Sequence, residues 1–65
     1  MRVYDYITAL TDKKVLIECY NRLGMKEFSG RAEDLPLRLR ESLIMKHNVY
    51  IDFKLRSPVI EMTLA

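Results

Sequence analysis

The sequence predicts an α+β fold: a small antiparallel β-sheet of about four strands, with a short N-terminal helix and a short middle helix. Three observations predict it. Val3, Tyr6, Ile7 and Leu10 recur at the spacing of one helix face. Val15-Leu16-Ile17-Glu18-Cys19-Tyr20 is short, apolar and β-branched at two positions, Val15 and Ile17, as strands are. From Leu43 onward apolar residues fall at alternate positions, the side-chain period of a strand.

Taken in order, the first element covers Val3 to Leu10, and Asp12-Lys13 reads as the turn that follows. The strand over Val15–Tyr20 leads into the turn residues Asn21-Arg22-Leu23-Gly24. Met25–Phe28 then returns antiparallel and Gly30 ends it. Asp34 reads as the N-cap of the middle helix, over about 34–41, with Pro36 in its first turn. Leu35, Leu39 and Leu43 repeat every four residues along it. The change from helix to strand falls within residues 41–47, and the strand ends at Leu55. Arg56-Ser57 reads as a two-residue hairpin loop, with Pro58 at the first position of the last strand. That register sets Phe53 opposite Ile60, Ile51 opposite Met62 and Val49 opposite Leu64, all on one face. The other face then sets Asp52 opposite Glu61 and Tyr50 opposite Thr63.

Composition narrows the rest. Sixty-five residues make a single domain, 1–65, that buries only about 60% of its unfolded surface. One cysteine, Cys19, allows no internal disulfide, and with one histidine, His47, a Cys-His zinc set is excluded. No apolar run reaches the roughly 20 residues that span a membrane. The N-terminus lacks the apolar core of a signal peptide, so a soluble cytoplasmic protein is expected. The net charge is +2. Residues 1–34 are neutral and the excess sits in residues 35–65, where Arg38, Arg40, Lys46, Lys54 and Arg56 face Glu41, Asp52 and Glu61.

The chain has no nucleophile elbow, phosphate loop or dinucleotide fingerprint. Cys19 reads as a core thiol and His47 as a structural residue interrupting the apolar alternation. Asp52 opposite Glu61 is the oddity, because like charges facing each other across a sheet repel. Either flanking cations and water offset that repulsion, or the pair binds a divalent ion such as Mg2+, with Glu18 as a third ligand if the first strand is adjacent. Lys46, Tyr50, Lys54 and Arg56, with Arg38 and Arg40 nearby, interleave an aromatic with cations as single-stranded nucleic-acid surfaces do. The first strand is apolar on both faces. Ile44 also points away from the core alternation, so Leu16, Tyr20 and Ile44 are the expected interface of a homo-oligomer.

A short N-terminal helix, the Val-Leu-Ile-Glu strand at 15–18, the segment Phe-Ser-Gly-Arg-Ala-Glu-Asp-Leu-Pro at 28–36 and a closing hairpin resemble small proteins of phages and mobile elements. Among these are anti-defence proteins. One group of anti-CRISPR proteins has a fold similar to the transcriptional-coactivator single-stranded-DNA-binding fold. The resemblance implies an anti-CRISPR that antagonises a type II CRISPR nuclease in the cytoplasm of a bacterial host. It also implies contact with DNA and weak metal-dependent nicking of supercoiled plasmid. The different-class alternative is a protein-binding inhibitor or assembly module with no nucleic-acid contact and no catalysis. This chain opens with a helix where the coactivator fold closes with one, and no motif carries a functional residue across.

Overall fold

The computed structural model describes residues 1–12 and 14–65. Lys13, half of the expected Asp12-Lys13 turn, lies outside them. The elements are helix α1 (Val3–Ala9), strands β1 (Leu16–Tyr20) and β2 (Lys26–Arg31), a 3-10 turn at Ala32–Asp34, helix α2 (Leu37–Arg40), and strands β3 (Ile44–Asp52) and β4 (Ser57–Leu64). The fold class is α+β, with a four-stranded sheet in the order β2-β1-β4-β3. β1 pairs antiparallel with β2, and β3 with β4. The sheet is nevertheless mixed rather than wholly antiparallel, because β1 and β4 run parallel. A parallel pair needs a long crossover, and β2, α2 and β3 together supply it.

A seven-residue helix is marginal alone, and α1 has no side-chain N-cap. It is held from outside. Val3 N–H donates to Ser42 O and Ile44 N–H donates to Met1 O, each at 2.9 Å, so the N-terminus is strapped to the entry of β3. Val3 and Ile7 are buried and Tyr6 and Leu10 partly so, as the spacing requires.

The hairpin between β1 and β2 is organised by Asn21. Its side-chain Oδ1 accepts from Leu23 N–H at 2.9 Å and from Met25 N–H at 3.0 Å. Gly24 supplies the left-handed residue, with φ 86°. β2 does not end at Gly30 but runs through it to Arg31. A Cβ there would lie 3.2 Å from Cζ of Phe28, so the missing side chain makes room for the Phe28 ring.

The middle helix is shorter than its spacing predicts. Asp34 ends the 3-10 turn and Pro36, not Asp34, is the N-cap of α2. The residue before a proline is pushed to extended backbone, and Leu35, with φ −64° and ψ 128°, obeys. The Arg40 guanidinium fixes this corner. Its Nε donates to Leu35 O at 2.8 Å and its Nη2 to Glu33 O at 3.1 Å.

The closing hairpin also differs. Its loop is Phe53–Arg56, so Ile51 faces Pro58, Asp52 faces Ser57, Asn48 faces Glu61 and Tyr50 faces Val59. A two-residue loop needs φ > 0 at its central residues, which favours Gly or Asn, and Arg56-Ser57 offers neither. Asp52 closes the longer loop instead, accepting from Lys54 N–H at 2.9 Å and Leu55 N–H at 3.1 Å. Arg56 takes the left-handed conformation, with φ 53°.

A bulge near Met45 shifts the register between Ile44 and Lys46. One extra residue inverts the side-chain phase. Ile44, expected to point away from the core, therefore turns inward opposite Leu64 and packs against the core, while Leu43 and Met45 are exposed. Both helices lie on one side of the sheet. Beneath them Ile17, Cys19, Ile60, Met62 and Leu64 join Val3, Ile7, Ala32, Leu35 and Leu39 in one buried cluster.

Two substitutions test this packing by urea unfolding. Ile17→Val, at a fully buried position, should lower stability by about 0.5–1.5 kcal/mol. Arg56→Gly should raise it by about 0.5–1 kcal/mol, because only glycine adopts the left-handed region without strain.

Candidate interaction surface

The sheet side opposite the helices is open. In register, β1 presents Leu16, Glu18 and Tyr20 there, β4 presents Val59, Glu61 and Thr63, and β3 presents Lys46, Asn48, Tyr50 and Asp52. Leu16 and Tyr20 are half-buried on this side, as an apolar first strand implies. Ile44 is on the other side, so the three expected interface residues do not form one patch.

Glu18 is the hub of the open side. Tyr50 Oη donates to its Oε1 at 2.7 Å, and Lys26 Nζ sits 3.2 Å from its Oε2. Lys26 also lies 5.8 Å from the Tyr20 ring centre. To reach β1 from β3, Tyr50 must cross β4, and Val59, its register partner, is buried beneath it. The Tyr50 hydroxyl bond, with help from the Lys26 ammonium, holds the Glu18 carboxyl below its ordinary value against the opposing effect of desolvation. The same bond pushes the Tyr50 phenol up to about 12.

Asp52 and Glu61 share this side but not a register position. Asp52 is engaged by the loop amides, and Glu61 lies between Glu18 on β1 and Asn48 on β3. The expected Asp52–Glu61 pairing is thus not formed, because the longer loop moves Asp52 four positions along β4, to Ser57. Among the described residues no group of three His, Cys, Asp or Glu side chains could hold a metal ion.

The six expected nucleic-acid residues also separate. Lys46 and Tyr50 are on the open side. Lys54 and Arg56 are exposed in the hairpin loop. Arg38 and Arg40 are on α2, across the sheet, where Arg38 Nη2 lies 3.8 Å from Glu27 and Arg40 is tied to backbone carbonyls. The open side balances Lys26, Arg31 and Lys46 against Glu18, Asp52 and Glu61, and it makes no cationic stripe.

Cys19 is buried, and burial pushes its thiol up to about 11. A thiol held protonated is a poor nucleophile. His47 packs edge-on against Tyr6 of α1, with ring centres 5.1 Å apart. Beyond that contact the helix side of β3 is exposed from Val49 onward. Val49 is 55% exposed, Ile51 62% and Phe53 87%, with Leu55 exposed beside them. The alternation placed all four residues in the core. It could not register that an edge strand outruns its cover.

Among the described residues no helix is long and apolar enough to cross a membrane. Compared with known proteins, the chain matches no family model, no curated protein and no solved structure.

The hub predicts a pH dependence. A group whose folded pKa is raised stabilises the fold below its ordinary value and loses that contribution as pH climbs to the raised one. Tyr50, from 10.0 to about 12, and Cys19, from 9.0 to about 11, should therefore steepen the loss of stability above pH 9. Glu18 acts in the opposite sense, contributing above its ordinary 4.5 and losing that contribution on acidification through its lower folded value. Tyr50→Phe should abolish the late phenol titration seen by ultraviolet absorbance. It should return the Glu18 titration toward 4.5 by NMR and lower the urea midpoint, because the bond to the carboxylate is lost.

Proposed function

We propose that the chain is a protein-binding inhibitor or assembly module that works as a homo-oligomer. The resemblance to phage anti-defence proteins makes a type II CRISPR nuclease of a bacterial host the target to test first. One observation carries the protein-binding reading: the apolar ridge Val49, Ile51, Phe53 and Leu55 is exposed on one edge and at its hairpin tip. An exposed apolar patch rimmed by polar residues marks an interaction site. The charge-balanced open side supports protein over nucleic acid, since polyanion binding rests on concentrated cations. Phe53 is the strongest anchor, as aromatic residues dominate interface energetics.

A titration of the purified nuclease, followed by anisotropy of the labelled chain, tests this. Binding should persist at high salt, and Phe53→Ala should weaken it by about 2 kcal/mol, roughly thirtyfold. No binding, or binding indifferent to Phe53, counts against the reading.

A second reading has its own observation. Phe53 is followed by Lys54 and then Arg56, all exposed at the hairpin tip, and an aromatic between cations can stack a base and meet phosphates. DNA contact there would weaken steeply with salt. Replacing Lys54 and Arg56 by Ala would reduce the salt slope by about 0.7–0.9 per lost phosphate contact. A gel shift at low salt that shows no complex removes this reading.

A further inference from the structure

We propose that β3 pairs antiparallel with β3 of a second copy of the chain, about a two-fold axis through Val49, to form a continuous eight-stranded sheet. This deepens the protein-binding reading and rests on it.

The backbone supplies the first argument. In an antiparallel ladder, alternate residues turn both amide and carbonyl toward the partner strand. Ala65 N–H donates to Leu43 O at 2.9 Å, so Ala65 faces β3. Alternation along unbulged β4 then turns Thr63, Glu61, Val59 and Ser57 toward β3 as well. Pro58, which has no N–H, falls on the side away from β3, as this phase requires. Opposite those four residues, Lys46, Asn48, Tyr50 and Asp52 turn inward. His47, Val49 and Ile51 therefore turn their amides and carbonyls outward, along an edge that has no neighbour in the sheet order.

The extent of that edge is bounded at both ends. The Met1–Val3 strap already occupies the backbone at Ser42 and Ile44. At the other end the chain leaves the strand after Asp52. The free stretch is 45–52, and natural edge strands of such length are usually blunted by proline or by several charges. This one has no proline, and Lys46 and Asp52 are its only formal charges.

Those two charges select the register. With the axis on Val49, Lys46 faces the partner's Asp52 twice, once on each side of the axis. Neither residue has an ion-pair partner among the described residues. Moving the axis to Asn48 would set Lys46 opposite Tyr50, and moving it to Tyr50 would set Asn48 opposite Asp52, so both alternatives forfeit the charge match. The Val49 axis also puts the outward-turned residues in hydrogen-bonded pairs: Val49 with the partner's Val49, and His47 with the partner's Ile51. On the helix side, the exposed Val49 and Ile51 side chains gain cover. On the open side Tyr50 meets the partner's Asn48.

Sedimentation and site-directed cross-linking test the pairing. The chain, 7.7 kDa as a monomer, should sediment as a dimer at roughly 100 μM, a weak association in keeping with a small interface. Val49→Cys should form a disulfide dimer on mild oxidation, because hydrogen-bonded partners place their Cα atoms about 5.5 Å apart, within disulfide range. Phe53→Cys is the control, more exposed but far from its own copy in this register. Val49→Cys should cross-link at least about tenfold faster than it. Buried Cys19 does not compete. Asp52→Asn keeps an acceptor for the loop amides and should weaken the dimer severalfold. Val49→Pro removes only an outward N–H and should give a folded monomer by circular dichroism. A chain that stays monomeric at 100 μM overturns the pairing. So does equal cross-linking at 49 and 53, or a Val49→Pro variant that is folded and still dimeric. Nuclease binding that depends on Phe53 would survive any of those outcomes, so the inhibitor reading and the self-pairing fail separately; a monomer at 100 μM would remove only the homo-oligomer part of the proposal.

Discussion

The parallel pairing of β1 with β4 is the constraint on which the rest of this structure depends. It puts the last strand in the middle of the sheet, between the first and third. Ile17 then lies beside Ile60 and Cys19 beside Met62, and these side chains form the floor of the core. A parallel neighbour cannot be reached by a tight turn. The intervening chain must leave the sheet and return, and α2 is carried out on that excursion. Since α1 and α2 both pack on the Ile17–Met62 side, no element among the described residues covers the opposite side.

That asymmetry explains why the open side is polar yet ordered. Val59 is buried there without a helix above it. Leu16 on β1 and Tyr50 on β3 flank it in register, and the hydroxyl bond to Glu18 carries the Tyr50 side chain across β4. One interaction thus ties β3 to β1 across β4 and shifts two titrations in opposite directions. Lys26 completes the arrangement from β2, so all four strands are linked on a side with no hydrophobic layer of its own.

Two local features shape the outer part of the β3–β4 hairpin. The bulge at Met45 inverts the side-chain phase, bringing Ile44 into the core and fixing which amides face outward. The four-residue loop, capped by Asp52, ends pairing at Ser57 and leaves Phe53 and Leu55 outside the ladder. With Val49 and Ile51 beyond the reach of the helices, these residues form an apolar edge whose two charges lie symmetrically about Val49.

The sequence by itself determined the elements whose signals are local. Helical spacing marked α1, because Val3 and Ile7 recur on one turn-by-turn face. β-branched apolar runs marked β1 and β4, and strand-turn-strand punctuation around Asn21 and Gly24 marked the first hairpin. Cys19 as a core residue and His47 as a packing residue were legible for the same reason. Tertiary structure decided what depends on residues far apart in the chain: that β1 lies beside β4, that Glu18 rather than Asp52 neighbours Glu61, and that Arg38 and Arg40 face away from Lys46 and Tyr50. It also decided the phase of β3. A period-two pattern specifies a strand and its two sides, but a single bulged residue exchanges those sides without changing the pattern on either side of it. Exposure of Val49 and Ile51 was beyond any reading of alternation, because burial requires a covering layer, and the reach of that layer is set by the length of a helix forty residues away.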